Sequence, residues 1–410
     1  MSDAADFLAA GRGRTYRASA PGRLDVMGGV ADYSGSLLLQ MPIAERTAVA
    51  LRRDDGERIE LYSTHGDSRA AVPLGLLRAA VAEGRGRTGP LAYAGFRQNL
   101  HGDGAPDWTR YVLGCLVLGA ARGHWPLEGL RVFVDSEVPV GQGLSSSAAL
   151  EVATLRALAT AYAVDFPGTA LPVLAQAVEN DVVGAPCGLM DQLASHLGVA
   201  GALLPLRCEP EVWVGEPLAL PAGIRFERHP SGVEHAVGGD AYGRARCAAF
   251  MGRRILETDH DLAPGSALAE VDADEFSAGL EPTLPAELRG ADFLARYGES
   301  PDPQTAIVPE RMYPVRAATA HPVYEHRRIR RFAETLRRAR REGRALTAAE
   351  LRRLGEAMTA SHRSYTAIGL GHPATDALVA ILLAQPDVYG ARVTGGGVGG
   401  TVVALASTQR

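Results

Sequence analysis

The sequence predicts a mixed α/β (α+β) chain built as two domains, and three observations lead there. Apolar, β-branched segments alternate with helix-like ones through the first half. The 410 residues, 46% hydrophobic and 22% charged, carry enough apolar material for two cores. A stretch dense in proline and glycine, residues 208–223 (CEPEVWVGEPLALPAG), interrupts the pattern midway and is the expected junction.

The elements follow in order. Residues 131–134 (RVFV) read as a strand, and residues 148–163, rich in Ala and Leu, as a helix. Residues 259–309 are acidic and proline-rich, the texture of an insertion with short helices. Residues 324–344 hold nine arginines around Ile329, Phe332 and Leu336, whose spacings of three and four make the stripe of an amphipathic helix. Glu325, Glu334 and Glu342 among them favour a solvated face, although a nucleic-acid-binding helix would carry the same pattern. Thr347 and Glu350 (TAAE) have the form of a capping box that opens another helix. Residues 391–405 (ARVTGGGVGGTVVAL) read as a glycine loop followed by a strand.

Composition excludes several chemistries. All 42 basic residues are arginine, so neither Schiff-base chemistry nor a Walker A loop is open to the chain, both of which need lysine. A net charge of −5 gives no overall attraction to nucleic acid or to an anionic membrane. Cys115, Cys187, Cys208 and Cys247 form no C-x-x-C pair and are expected as reduced thiols in a cytoplasm. The start, MSDAADFLAAGRGR, lacks the pattern of an export signal, and the apolar run from Tyr111 falls short of the ~20 residues that span a bilayer.

The chemistry begins at residues 138–149 (VPVGQGLSSSAA), between the expected strand and helix. A glycine-rich turn lets backbone N–H groups crowd round an anion, and the helix behind it aims its positive end at the same place. Gly141, Gly143, Leu144, Ser145, Ser146 and Ser147 therefore form a candidate phosphate cradle, in which a serine hydroxyl caps the helix or ligates Mg²⁺. A plain N-cap behind a glycine turn would look alike.

This segment closely resembles the second motif of the GHMP kinases, the galacto-, homoserine-, mevalonate- and phosphomevalonate-kinase superfamily, in which the loop holds ATP. Residues 20–35 (APGRLDVMGGVADYSG) resemble the galactokinase motif APGRVNLIGEHTDYNG, and residues 393–400 (VTGGGVGG) the C-terminal glycine motif, in the same order. Residues 179–198 (ENDVVGAPCGLMDQLASHLG), 235–246 (HAVGGDAYGRAR) and 354–365 (LGEAMTASHRSY) are similar to further sugar-kinase segments. The wording VMGG, ADYSG and AFMGR resembles the kinase region of plant L-arabinokinases. The resemblance implies the two-domain GHMP kinase fold, with an N-terminal α/β domain over residues 1–205 and a C-terminal ferredoxin-like domain over 206–410.

It also implies roles. Asp191 would be the base beside the sugar's anomeric hydroxyl, with Arg23 against it and the transferring phosphoryl group. An arginine, always charged, offsets charge on the equatorial oxygens. Ser147 and Glu179 match the pair that holds Mg²⁺. Gly29, Asp32, Gly188, Tyr242 and Gly396 match positions around the sugar. Taken singly, Asp191 reads equally as a helix cap, Arg23 as a surface residue, Glu179 as a solvated helix position and Tyr242 as core.

Two departures matter. Where galactokinases have Glu-His-Thr-Asp, this chain has Gly29, Val30, Ala31 and Asp32, so the acid that accepts a hydrogen bond from the hexose 6-hydroxyl is missing. A buried carboxylate without its partner costs ~1–3 kcal/mol or more, so a site for a sugar lacking that hydroxyl should lose the acid. The expected activity is ATP-dependent phosphorylation at C1 of a pentopyranose, L-arabinose, by a monomer or homodimer that contacts neither nucleic acid nor membrane. A galactokinase or modified-sugar kinase with a relaxed C6 pocket, and a non-catalytic regulator that binds ATP and sugar, are the alternatives. The second departure, Asp25 in place of the family's asparagine, has no explanation in the sequence.

Overall fold

A computed structural model describes residues 2–89, 91–102, 104–234, 240–302 and 304–408. The chain forms two compact units that interleave along the sequence. One takes Met1–Arg23, Ile43–Pro139 and Ser145–Leu197, and the other Leu24–Pro42, Val140–Leu144 and Gly198–Arg410.

In the first unit the RVFV segment lies in the strand Leu130–Ser136. Leu130, Val132 and Val134 alternate into the core, the period of two that a pleated strand imposes. This strand pairs in parallel with Arg58–Ser63 and antiparallel with residues 47–53 of the strand Leu38–Arg53. Against the sheet pack the helices Leu74–Glu83, Thr109–Ala121, Ser146–Tyr162 and Ala170–Ala177, which bury Leu77, Val112, Leu116, Leu155 and Leu174 in one core. The apolar run from Tyr111 is thus a core helix. No helix among the described residues is long and apolar enough to cross a membrane.

One close approach in this unit positions a site residue. Gly114 faces the segment Val178–Val183, and a Cβ at that position would lie 2.6 Å from Val178 Cγ1. Glycine therefore lets the helix Thr109–Ala121 seat the π-helical turn that carries Glu179.

The second unit is built on an antiparallel sheet of Val388–Val393, Thr401–Ser407 and Ile224–Pro230, with Thr401–Ser407 in the middle. The helices Asp240–Asp259, Val315–Arg341, Ala348–Ala367 and Pro373–Leu383 belong to the same unit. Its core holds Met251, Leu256, Phe276, Phe293, Val323 and Tyr365. Each large apolar side chain so buried contributes about 1.5–3 kcal/mol. Residues 208–223 carry the two-residue strands Trp213–Val214 and Leu218–Ala219, both paired with Ala202–Arg207, and all of this lies inside the second unit. Residues 259–309 hold a run of short helices, from Leu268–Glu270 to Gly290–Tyr297.

The arginine-rich helix is longer than its stripe suggested. It runs Val315–Arg341 and passes through Pro322, which supplies no N–H to the ladder. Val315, Ala318 and Val323 extend the buried face past the proline, and their burial outweighs one missing hydrogen bond. Ile329, Phe332 and Leu336 are buried as their spacing required. Thr347 and Glu350 form a full capping box, in which each backbone N–H donates to the other's side chain, at 2.9 and 3.2 Å.

Candidate active site

The first unit gathers seven of the residues singled out in the sequence, Arg23, Ser145, Ser146, Ser147, Glu179, Gly188 and Asp191. Arg23 grips Asp191 through hydrogen bonds of 2.9 Å from Nε to Oδ1 and from Nη2 to Oδ2, with Nη2 also 2.8 Å from Oδ1. Such a fork fixes direction as well as charge. Arg23 is 3% exposed and Asp191 26%, so the guanidinium is walled in while the carboxylate keeps an open side. Ser145 donates to Asp191 Oδ2 at 2.5 Å. The exposed side of the Asp191 carboxylate is where a further hydroxyl could approach.

Ser145 acts here through its backbone as much as its hydroxyl. Its φ of +56° is left-handed, and Gly141 and Gly143 have φ of +71° and +69°. The helix Ser146–Tyr162 starts one residue later. Ser145 makes no side-chain capping bond, against the simple N-cap reading, because its hydroxyl is committed to Asp191. A non-glycine residue in this region costs on the order of 1 kcal/mol and persists where its surroundings hold it.

Glu179 is buried in the turn after Ala170–Ala177. Burial, followed by the charge of Asp191, pushes its carboxyl up to about 7, against hydrogen bonds from Ser147, Cys187 and Gln192 that favour the charged form. Ser147 and Glu179, the two residues matched to a metal pair, are thus hydrogen-bonded to each other. A hydroxyl and a carboxylate are the oxygen donors that Mg²⁺ prefers, and it usually takes only one or two protein carboxylates besides phosphates and water. Gly188 is half-buried in the connection that leads into the helix Met190–Leu197, which carries Asp191.

The second unit holds the other candidates. Leu144 is buried, while Gly141 and Gly143 are partly exposed at the head of the loop. Asp32 is buried in the 3-10 turn Gly29–Ser34, where Oδ1 accepts from Tyr33 N–H at 2.8 Å. The Tyr33 ring meets Tyr242 edge to face at 6.2 Å, so Tyr242 is half-buried on the helix Asp240–Asp259 near that turn. Arg246, one turn further on, lies 5.1 Å over the Tyr33 ring and forks Asp302 with two bonds of 2.8 Å. Gly396 is half-buried in the loop between Val388–Val393 and Thr401–Ser407. Residues 235–239 of the segment HAVGGDAYGRAR lie outside the described residues.

Asp25 finds its explanation here. Arg392, which directly precedes the C-terminal glycine motif, pairs with Asp25 Oδ2 at 2.8 Å, and neither side chain is exposed. Asp25 Oδ1 accepts from Gln40 Nε2 at 2.6 Å and from Gly29 N–H at 3.1 Å. Thr394 completes the tie, donating to the Asp25 carbonyl and accepting from the Asp25 N–H at 2.8 Å. The extra negative charge is matched by a buried arginine and also orients the backbone of Gly29.

Sequence reasoning missed three participants. Glu151, one helical turn after Ser147, is buried, and burial and then Glu179's charge raise its carboxyl well above the ordinary range. Gln192, beside Asp191, donates to Glu179 at 2.8 Å and to Glu151 at 3.4 Å. A charged residue on the otherwise apolar face of the helix after the serines was the signal. The third, Tyr365, sits in a segment noted for its resemblance, and nothing in the sequence ties it to Gly29.

Comparison with known proteins identifies the family. Residues 110–199 match the profile for the GHMP kinases N terminal domain, residues 344–410 that for the GHMP kinases C terminal, and residues 8–53 the galactokinase galactose-binding signature. An L-arabinokinase of Arabidopsis thaliana is 35% identical over 94% of this chain, which spans 42% of that longer protein. Galactokinases of Canis lupus familiaris and Homo sapiens are 31% and 30% identical over 94% of the chain and 82% of their own lengths. Among solved structures, Lactococcus lactis galactokinase complexed with galactose superposes with a TM-score of 0.73 at 22% identity, covering 99% of this chain and 89% of its own.

Proposed function

We propose, from the premise that the chain belongs to the GHMP kinase family as a sugar kinase of the galactokinase and arabinokinase type, that it phosphorylates the C1 hydroxyl of a pentopyranose, L-arabinose, with ATP. The observation that carries the reaction is the trio Arg23, Asp191 and Ser145, in which a carboxylate is held by a fork and a hydroxyl and keeps an exposed side. The C1 hydroxyl oxygen attacks the γ-phosphorus, its proton passes to Asp191, and the bond to the bridging oxygen of ADP breaks. Arg23 holds Asp191 in the direction of attack and offsets charge on the equatorial oxygens. Ser147 and Glu179 would hold Mg²⁺, which would offset charge on the phosphates. Gly141 to Ser146 supply backbone N–H groups for the phosphates.

Gly29 supports a pentose over a hexose, because the acid that would meet a 6-hydroxyl is absent there. The match of residues 8–53 to the galactose-binding signature favours a second reading, a galactokinase with a loosened pocket. Coupled ADP release over L-arabinose, D-galactose and L-fucose separates the two. Under the proposal kcat/KM is highest for L-arabinose; a preference for D-galactose selects the second reading, and no turnover with any sugar overturns both.

A further inference from the structure

Position 29 lacks more than an acid; it lacks the room for one. The backbone there is left-handed, with φ of +47°, and a Cβ on Gly29 would sit 1.5 Å from the Tyr365 hydroxyl oxygen and 2.7 Å from its Cζ. Tyr365 comes from the helix Ala348–Ala367 and is fully buried. Its hydroxyl donates to the Gly395 carbonyl at 3.0 Å and accepts from Val30 N–H at 2.9 Å. The ring is fixed from two sides, by Arg392 at 5.0 Å over its face and by His321 edge to face at 5.4 Å. With Arg392 bound to Asp25, and Asp25 to Gly29 N–H, the tyrosine and the turn are locked by one buried network.

We propose that Tyr365 is a specificity-determining residue: its hydroxyl fills the place of the acidic side chain that hexose kinases of the family carry at the position of Gly29, and so closes the site to a sugar with an exocyclic CH₂OH arm. The inference rests on the pentose reading above and supplies its structural cause. A carboxylate at position 29 would offer about four acceptor sites to a 6-hydroxyl. The tyrosine hydroxyl has spent its proton on Gly395 and one lone pair on Val30, which leaves a single acceptor. A hexose arm brought to this wall would lose water without an equivalent partner, whereas a pentose brings no arm. The acid also cannot return by one substitution, since any side chain at 29 meets the phenol first.

The test uses Tyr365→Phe, which removes only the hydroxyl, and Tyr365→Leu, which removes the ring as well. The ratio of kcat/KM for D-galactose to that for L-arabinose should rise about threefold in the first and about tenfold or more in the second. A generally damaged fold would lower both sugars together and leave the ratio unchanged. Melting temperatures supply an independent reading. Gly29→Ala should destabilise the parent and do so clearly less in the Tyr365→Phe background, where the 1.5 Å clash is gone. Folded variants whose sugar ratio stays within about twofold of the parent, or equal penalties for Gly29→Ala in both backgrounds, overturn the proposal. A parent that phosphorylates neither sugar refutes the pentose reading instead, and the coupling of Gly29 to Tyr365 is then judged on the melting temperatures alone.

Discussion

Asp25 and Arg392 form an ion pair with no solvent on either side chain, joining residues 367 positions apart in the sequence. Such a pair is costly to break from one side, because the remaining charge is stranded. Asp25→Asn keeps the shape and the bonds that Asp25 can still accept, but leaves Arg392 uncompensated. We expect it to lower unfolding stability by about 3–5 kcal/mol, read as a shift in the urea midpoint, with much of the loss recovered when Arg392→Met is added. A loss below about 1 kcal/mol would show that the charge is balanced elsewhere. The pair was illegible in the sequence for a plain reason. Asp25 could be seen as a departure from the family, but its partner lies at the far end of the chain and no local spacing connects them.

At the scale of elements, the helix Val315–Arg341 shows how far periodicity reaches. Its apolar stripe and its solvated arginines were legible, and Arg327, Arg328 and Arg338 pair with Asp274, Glu325 and Glu350. Its beginning was not, because Pro322 suggests a boundary that the buried residues before it override. His321, beside that proline, is buried with Nδ1 2.8 Å from the Ser364 hydroxyl. Burial lowers its pKa to about 4, with Glu325 opposing and Arg328 and Arg392 adding to the shift. The unfolded chain takes up this proton near 6.5 while the folded chain resists until about 4. The stability due to the neutral ring is therefore present above pH 6.5 and lost as pH falls towards 4. The melting temperature of the parent should fall further between about pH 7.5, above the 6.5 to 4 window, and about pH 5, inside it, than that of His321→Gln, by scanning calorimetry. Identical pH profiles would contradict the burial of a neutral imidazole.

Over the whole molecule, the residues proposed to touch phosphate and hydroxyl groups lie in short runs that motifs keep together. Arg23, Ser145, Ser147, Glu179 and Asp191 stand in three segments that the fold of the first unit brings together. Of the residues that shape those groups, Glu151 left a local sign, a charge on an apolar helix face. Gln192, Tyr365 and Arg392 act by burial and by contacts with distant parts of the chain, and neither quantity is written in local pattern. The central claim concerns the proton. Asp191→Asn preserves the side-chain shape beside Arg23 but removes the proposed base. Measured by ADP release with saturating ATP and L-arabinose, and with the fold checked by melting temperature, kcat should fall about 10²–10⁴-fold. A folded Asp191→Asn protein that turns over as fast as the parent would contradict the account.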